Sequence, residues 1–224
     1  MRSERLRWTG VLCAVSAAAL TVLVRAQWQP LVSRDERTAR VLHAWAVAHP
    51  GATQAVRVLS DWVWDPWTMR ALAALAFVWL WRRGDRDRGL RVALAVLLAA
   101  VVQQTLKALV GRERPVWPDP VDSAHYAAYP SGHAMTATVV CGLLLWLLPR
   151  GSPGTPGGPA APRPALSAAA VGAAWALAGV SVVGVGLTRL YLGVHWASDV
   201  VAGWLLGAAV VAFATGWRRG RLWP

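Results

Sequence analysis

Cysteine and carboxylate side chains are scarce in this chain of 224 residues. Its two cysteines, Cys13 and Cys141, both lie inside apolar runs, which favours a role as small core residues and leaves the redox compartment open. Only 11 Asp and Glu stand against 23 Lys and Arg, and the loop carboxylates Asp119 and Asp122 lack the clustering that a two-metal site needs. We therefore expect neither a metal site nor a cofactor.

The net charge of +12 raises the question of a nucleic-acid partner. The arginines, however, occupy short segments between apolar runs and form no stripe with interleaved aromatic side chains. The pattern argues against nucleic acid. It leaves lipid headgroups and phosphate-bearing substrates as partners.

Apolar residues make up 56% of the chain, and the mean hydropathy is +0.39, which is high for a soluble domain. Six apolar runs are long enough, or nearly so, to cross a bilayer. They cover about 8–26, 67–82, 89–109, 133–149, 165–187 and 196–216. We predict an all-α, polytopic bundle of six transmembrane helices that forms one integral-membrane domain over 1–224.

The first run allows a second interpretation. Arg2, Arg5 and Arg7 precede an apolar core that ends in Val24-Arg25-Ala26, the pattern of a cleaved signal peptide. A retained first span is favoured, and cleavage stays open. The later spans keep their orientation either way.

Between the first two runs lie about forty residues that are too polar to cross a membrane. Ser33-Arg34-Asp35-Glu36 has the form of a helix capping box, Val41, Leu42 and Trp45 follow at helical spacing, and Pro50-Gly51 interrupts the pattern. We predict amphipathic helices on the outer surface. His43 and His49 are interpreted as interfacial side chains there.

The basic residues predict the orientation in the cell membrane. More than half of the 23 Lys and Arg residues fall on one side if the N-terminus is cytoplasmic, so the positive-inside rule favours two cytoplasmic termini. Residues 82–91 then form a charged inner loop. The Pro- and Gly-rich segment 150–164 is a flexible inner linker.

Three polar clusters meet the opposite, outer side. They read KALVGRERP at 107–115, PSGH at 130–133 and TRLYLGVHWASD at 188–199. Interfacial snorkelling alone could explain Lys107, Arg112 and Arg114, and Glu113 is expected to pair with Arg112. Snorkelling does not explain why clusters up to roughly 90 residues apart share one face.

The third cluster contains a histidine and a carboxylate four residues apart. His195 and Asp199 share a face if the segment is helical, so the carboxylate can accept a hydrogen bond from one imidazole nitrogen. This bond fixes the tautomer and leaves the other nitrogen free to attack an electrophile.

The other two clusters supply groups that bind an anion. Ser131 and Gly132 open a predicted helix, where unpaired backbone N–H groups and the helix dipole favour negative charge. Lys107, Arg114 and Arg189 add three cations. Together with His133 and His195, the clusters predict a phosphate site.

These motifs resemble the three-part signature of the type 2 phosphatidic acid phosphatase superfamily: KxxxxxxRP at 107–115, PSGH at 130–133 and (S/T)RxxxxxHxxxD at 188–199. The chain has Thr188 where that family commonly has Ser, which keeps a hydroxyl. The resemblance implies that His195 is the nucleophile, that Asp199 orients it, and that His133 is the general acid and base. The phosphoryl-binding residues it implies are Lys107, Arg114, Ser131, Gly132 and Arg189, with no metal.

The expected activity is hydrolysis of a lipid phosphate or pyrophosphate at the outer membrane face through a phosphohistidine. A lipid phosphotransferase that uses the same intermediate and a non-catalytic lipid-phosphate binding or transport protein are the alternatives. Oriented histidines argue against pure binding, which needs cations but no nucleophile. The sequence leaves the particular lipid and the oligomeric state open.

Overall fold

The computed structural model describes residues 2–149 and 166–216, and these parts of the chain contain helices and no strand. The predicted linker 150–164 lies outside the described residues. The helices are α1 (Arg2–Arg25), α2 (Gln29–Ala48), α3 (Pro50–Val58), α4 (Pro66–Arg82), α5 (Arg86–Val110), α6 (Gly132–Leu147), α7 (Ala168–Tyr191) and α8 (Ala197–Gly216). A π-helical turn, Leu59–Val63, follows α3 directly.

The predicted all-helical class is confirmed for the described residues, and each of the six apolar runs forms a helix. Among the described residues, four helices are long and apolar enough to cross a membrane: α1 from Ser3, α5, α7 and α8. Helices α4 and α6 have 17 and 16 residues, which at 1.5 Å per residue is about 24–26 Å against a hydrocarbon core of about 30 Å. The full count of six spans therefore stays a prediction.

The long helices expose large apolar side chains instead of burying them. Leu12 on α1, Leu94 on α5 and Leu177 on α7 are 67%, 61% and 70% exposed. Contiguous apolar surface of this kind would be unfavourable in water but is matched by lipid chains. The membrane character of the chain follows from this surface.

Local chemistry determines where several helices begin. Asp65 accepts hydrogen bonds from Trp67 N (2.5 Å) and Thr68 N (3.3 Å), and Pro66 occupies the first helical position of α4. Asp85 caps α5 in the same way through Arg88 N. Each cap satisfies backbone N–H groups that the helix itself leaves without acceptors.

Helix α6 lies at the centre of the bundle and contacts α4, α5, α7 and α8. Met135, Val139, Val140 and Leu143 on α6 are almost fully buried in the main apolar core. Its approach to α8 is very close, because a Cβ on Gly203 would lie 2.7 Å from Ser131 O. This small residue lets the starts of α6 and α8 meet, and the second and third sequence clusters meet there.

The predicted capping box is wrong. Helix α2 begins at Gln29, with Trp28 as its N-cap, and Ser33 Oγ donates to Gln29 O (2.7 Å) inside the helix. The buried stripe of α2 is made of Asp35, Ala39, His43 and Ala46, a set with little apolar area. A period-3.6 pattern that mixes small and ionisable residues is invisible to a search for apolar periodicity.

The interfacial interpretation of His43 is also wrong. The side chain is 5% exposed, its ring stacks on Trp117 at 4.0 Å between centroids, and Nε2 lies 3.2 Å from Asp119 Oδ1. His49, in contrast, is exposed and contacts Trp45 O through Nδ1 (2.9 Å). Helix α2 thus contacts the loop that follows α5, a polar contact that sequence periodicity does not show.

Candidate active site

His195 lies in the short loop between α7 and α8 and is 2% exposed. Its Nδ1 lies 3.3 Å from Asp199 Oδ2, an oxygen that also accepts a hydrogen bond from Trp196 N (2.9 Å). Because Asp199 is a hydrogen-bond acceptor in its ionised form, it favours the tautomer with the proton on Nδ1. Nε2 then keeps a lone pair, as a nucleophile requires.

The Nε2 atom of His195 lies beside a cation. Arg114 Nη1 lies 3.2 Å from Nε2 and also donates to Val194 O (2.5 Å). Burial, and then the charges of Arg114, Arg189 and Lys107, hold the pKa of His195 well below its ordinary value. The imidazole is therefore neutral at neutral pH.

The three expected phosphate-binding cations surround this histidine. Lys107 comes from the last turn of α5, Arg114 from the segment after it, and Arg189 from the last turn of α7. Burial, followed by the charge of Arg189, lowers the pKa of Arg114 to about 10, so the guanidinium stays protonated at neutral pH. The positive charges of these three side chains therefore act together on the space around His195.

Backbone carbonyls of the segment before α6 hold two of these cations. Lys107 Nζ donates to Ala127 O, while Arg114 donates to Tyr126 O (2.9 Å) through Nε and to His125 O (3.2 Å) through Nη2. Neutral carbonyls position the cations without cancelling their charge. They therefore leave the cations able to attract an anion.

Arg189 has a different set of partners. Its Nη1 donates to Ser60 Oγ (2.8 Å) and to Asp61 Oδ1 (3.4 Å), and it lies 3.6 Å from Asp122 Oδ2, beyond hydrogen-bond distance. The Nε of Arg189 is buried with no hydrogen-bond partner. A buried N–H without a partner is costly, and an incoming phosphoryl oxygen is a suitable acceptor for it.

The start of α6 supplies a second unpartnered group. Ser131 is the N-cap of the helix, yet its Oγ caps no backbone N–H and is buried without a partner. Ser131 N donates to Asp199 O (3.0 Å), which joins the starts of α6 and α8. Gly132 is buried beneath Gln103, whose Nε2 would lie 2.6 Å from an added Cβ. Any side chain at residue 132 would therefore displace Gln103.

His133, the other histidine of the expected site, occupies the first turn of α6 and is half-buried. The charges of Arg189, His195, Arg114 and Lys107 all act on it, so it lies close to His195 and to the three cations. The structure thus brings together all eight residues that the sequence selected. They are Lys107, Arg114, Ser131, Gly132, His133, Arg189, His195 and Asp199.

The expected pair between Glu113 and Arg112 is wrong. Arg112 turns inward and contacts Asp199 Oδ1 (2.7 Å) and Asp35 Oδ2 (2.7 Å), while Glu113 is exposed and accepts from Trp196 Nε1 only through its backbone oxygen (2.9 Å). Two buried carboxylates attract the guanidinium more strongly than one solvated neighbour. Arg112 is therefore no snorkelling side chain, and sequence reasoning missed its place beside the site.

Two further groups near the site were missed. Ser60 and Asp61 lie in the π-helical turn and contact Arg189, but no motif marks them in the sequence. Within residues 2–149 and 166–216, no group of three or more His, Cys, Asp or Glu side chains could hold a metal ion. The arrangement described here can bind an anion, present a neutral imidazole to it and exchange a proton with it.

A family model agrees with this arrangement. The model described as the PAP2 superfamily matches residues 88–223, a range that contains all three sequence clusters. The chain belongs to the PAP2 superfamily. The resemblance that the motifs indicate is thereby confirmed at the level of the family.

Two curated proteins and one solved structure are similar to this PAP2 chain. The undecaprenyl-diphosphatase of Sulfolobus acidocaldarius is 27% identical over 157 residues, or 66% of this chain and 60% of that protein. The phosphatidylglycerophosphatase B of Bacillus subtilis is 29% identical over 119 residues, or 53% and 52%. The chain thus matches little more than half the length of either relative.

The similar structure is the crystal structure of a transmembrane PAP2-type phosphatidylglycerolphosphate phosphatase from Bacillus subtilis. It has a TM-score of 0.69 at 22% identity, over 96% of this chain and 100% of the other. The similarity shows that the two chains share a fold. It places the fold of this PAP2 chain among transmembrane proteins.

Proposed function

We propose that this chain hydrolyses a lipid phosphate or lipid pyrophosphate through a phosphohistidine on His195, without a metal. The observation that carries the proposal is the geometry of that residue: Nδ1 is held by Asp199, and Nε2 faces Arg114 among the cations. A binding protein would need the cations alone. The names of the two curated relatives, a diphosphatase and a phosphatase of lipids, support the same reaction class.

In the first step, Nε2 of His195 attacks the phosphorus atom and forms a P–N bond as the P–O bond to the leaving group breaks. Arg114 gives up its hydrogen bond to Nε2 and donates to a phosphoryl oxygen instead. Lys107 and Arg189 bind the other oxygens, and this charge stabilisation supplies most of the rate enhancement. His133 gives a proton to the leaving oxygen.

In the second step, His133 removes a proton from water, and the hydroxide oxygen attacks phosphorus. The P–N bond breaks, His195 becomes neutral again, and inorganic phosphate leaves. Ser131 Oγ and Arg189 Nε, both unpartnered in the resting site, bind phosphoryl oxygens throughout. Asp199 holds the Nδ1–H tautomer in both steps.

The proposed setting is the cell membrane, with one domain of six spans, both termini cytoplasmic and the site on the outer side. The polar loops that carry the site connect α5 with α6 and α7 with α8, so both lie on the same side of the membrane if these helices span it. The site then lies at headgroup depth. Candidate substrates are isoprenoid pyrophosphates and glycerolipid phosphates.

The substrate class is tested by phosphate release from a panel of lipid phosphates in detergent with EDTA present. We expect activity to survive EDTA because three basic side chains supply the positive charge, and we expect vanadate to inhibit by binding the same cations as a trigonal-bipyramidal mimic. Loss of activity in EDTA that Mg²⁺ restores would contradict metal independence. Transfer of phosphate to an added alcohol without release would favour the phosphotransferase.

The orientation is tested by cysteine labelling in a background that carries Cys13→Ala and Cys141→Ala. Ser123, in the segment between α5 and α6, and Arg86, the first residue of α5, are exposed and lie at opposite ends of the predicted spans. Ser123→Cys should react with a membrane-impermeant maleimide in intact cells, and Arg86→Cys only after the membrane is opened. The opposite pattern would place the site on the cytoplasmic side.

A further inference from the structure

Arg112 joins two carboxylates that are both buried behind the nucleophile. Its Nη1 donates to Asp199 Oδ1 (2.7 Å) and its Nη2 to Asp35 Oδ2 (2.7 Å). Asp199 is 0% exposed and Asp35 is 2% exposed. The other oxygen of Asp199 faces His195 Nδ1. Arg112 therefore contacts the orienting carboxylate through the oxygen that does not face the imidazole, and Asp35 contacts Arg112.

Ser198 completes the same network. Its backbone N–H donates to Asp35 Oδ1 (2.9 Å), its hydroxyl donates to Asp35 Oδ2, and Arg112 Nη1 donates to its Oγ (2.6 Å). Ser198 directly precedes Asp199 in the first turn of α8. Asp35 therefore holds the backbone beside Asp199 as well as its ionic partner.

The charges of the network explain why Arg112 and Asp35 are both present beside Asp199. Arg112 attracts Asp199 and favours its ionised form, but by itself it would also cancel the negative charge that His195 experiences. Asp35 offsets the charge of Arg112, so the three groups together keep one net negative charge beside the imidazole. Buried ionic groups interact strongly because the surrounding dielectric is low.

We propose that Asp35 and Arg112 are positioning residues for the reaction, which fix the Asp199 carboxylate so that it holds the nucleophilic tautomer of His195. This proposal rests on the proposed function. Neither residue is among those that we propose bind the phosphoryl group. Through Asp35, helix α2 contributes to the orientation of His195, although its sequence carries none of the three motifs.

The test compares Asp35→Asn, Arg112→Gln and Arg112→Lys in the full chain in detergent. We expect kcat to fall about 10- to 100-fold in the first two variants, since small displacements of a reacting group cost rates of that order. KM and inhibition by inorganic phosphate should change less than about twofold, because the network does not contact the phosphate cations. Arg112→Lys keeps a positive charge beside Asp199 and should therefore have a higher kcat than Arg112→Gln.

Glu36→Gln and Arg40→Gln are the matched controls, because these exposed neighbours on α2 form an ion pair with each other (3.3 Å) and, within the described parts of the chain, with no group of the site. Wild-type kcat in Asp35→Asn would overturn the proposal. So would a kcat that falls together with phosphate affinity and the unfolding temperature, since that result describes a purely structural role. If the Arg112→Gln protein does not accumulate, the kcat of Asp35→Asn alone tests the proposal, because asparagine has nearly the same shape as aspartate.

His195→Ala, assayed beside these variants, separates this proposal from the proposed function. An inactive His195→Ala with a fully active Asp35→Asn would reject the network and keep the phosphohistidine. An active His195→Ala would reject both.

Discussion

Replacing His195 with alanine is expected to abolish phosphate release from every lipid phosphate that the wild-type chain hydrolyses. The substitution removes Nε2, the atom that we propose forms the bond to phosphorus, while the proposed phosphate-binding cations Lys107, Arg114 and Arg189 remain. We expect a loss of at least about 10⁴-fold in kcat, the scale of losing a covalent nucleophile. The measurement is phosphate release by purified protein in detergent.

Two comparisons make the result specific to the nucleophile. His49→Ala removes an exposed imidazole outside the site and should keep wild-type activity. Inorganic phosphate should still protect His195→Ala against thermal unfolding, because the cations are intact. Full phosphatase activity in His195→Ala would mean that another group attacks phosphorus.

Replacing His133 with alanine is expected to cost far more activity on a lipid phosphomonoester than on a lipid pyrophosphate. An alkoxide is a poor leaving group and needs a proton from His133. A leaving phosphate group needs the proton less, because its conjugate acid has a much lower pKa than an alcohol. The proton transfer should contribute about 10²- to 10⁴-fold for the poorer leaving group. The measurement is kcat/KM for the two lipids in matched micelles.

The comparison is interpretable where the chemical step limits the rate, which single-turnover kinetics establish. His195→Ala is the reference variant, since both substrates need the same attacking nitrogen and both should lose activity equally. Equal losses for His133→Ala on both lipids would show that it is not the leaving-group acid. Its place in PSGH would then be explained by phosphate binding.

Apolar run length predicted the helices well because burial in a bilayer demands an uninterrupted apolar surface. The runs at 89–109 and 196–216 correspond to the helices Arg86–Val110 and Ala197–Gly216, whose ends differ from the predicted ones by at most three residues. Helix α2 was predicted less well. Its buried face contains Asp35 and His43, and hydropathy assigns such residues to the surface.

The motif residues could be placed together from sequence because two of them share a helical spacing and all lie at ends of predicted spans. The partners of those residues could not. Asp35 and Arg112 are 77 residues apart and meet only in the folded bundle, and Ser60 reaches Arg189 across 129 residues. Pairings of this kind depend on the packing of α2 and the π-helical turn against α7 and α8, which no local pattern encodes.

The most direct test of the central claim is to trap the phosphoenzyme. A lipid substrate labelled with ³²P in the reacting phosphoryl group is mixed with protein, quenched in alkali, where phosphohistidine is stable, and digested for peptide mapping. The account predicts label on the peptide that contains His195, lost on acid treatment and absent from His195→Ala. Label on another residue, or full hydrolysis with no labelled protein under single-turnover conditions, would contradict it.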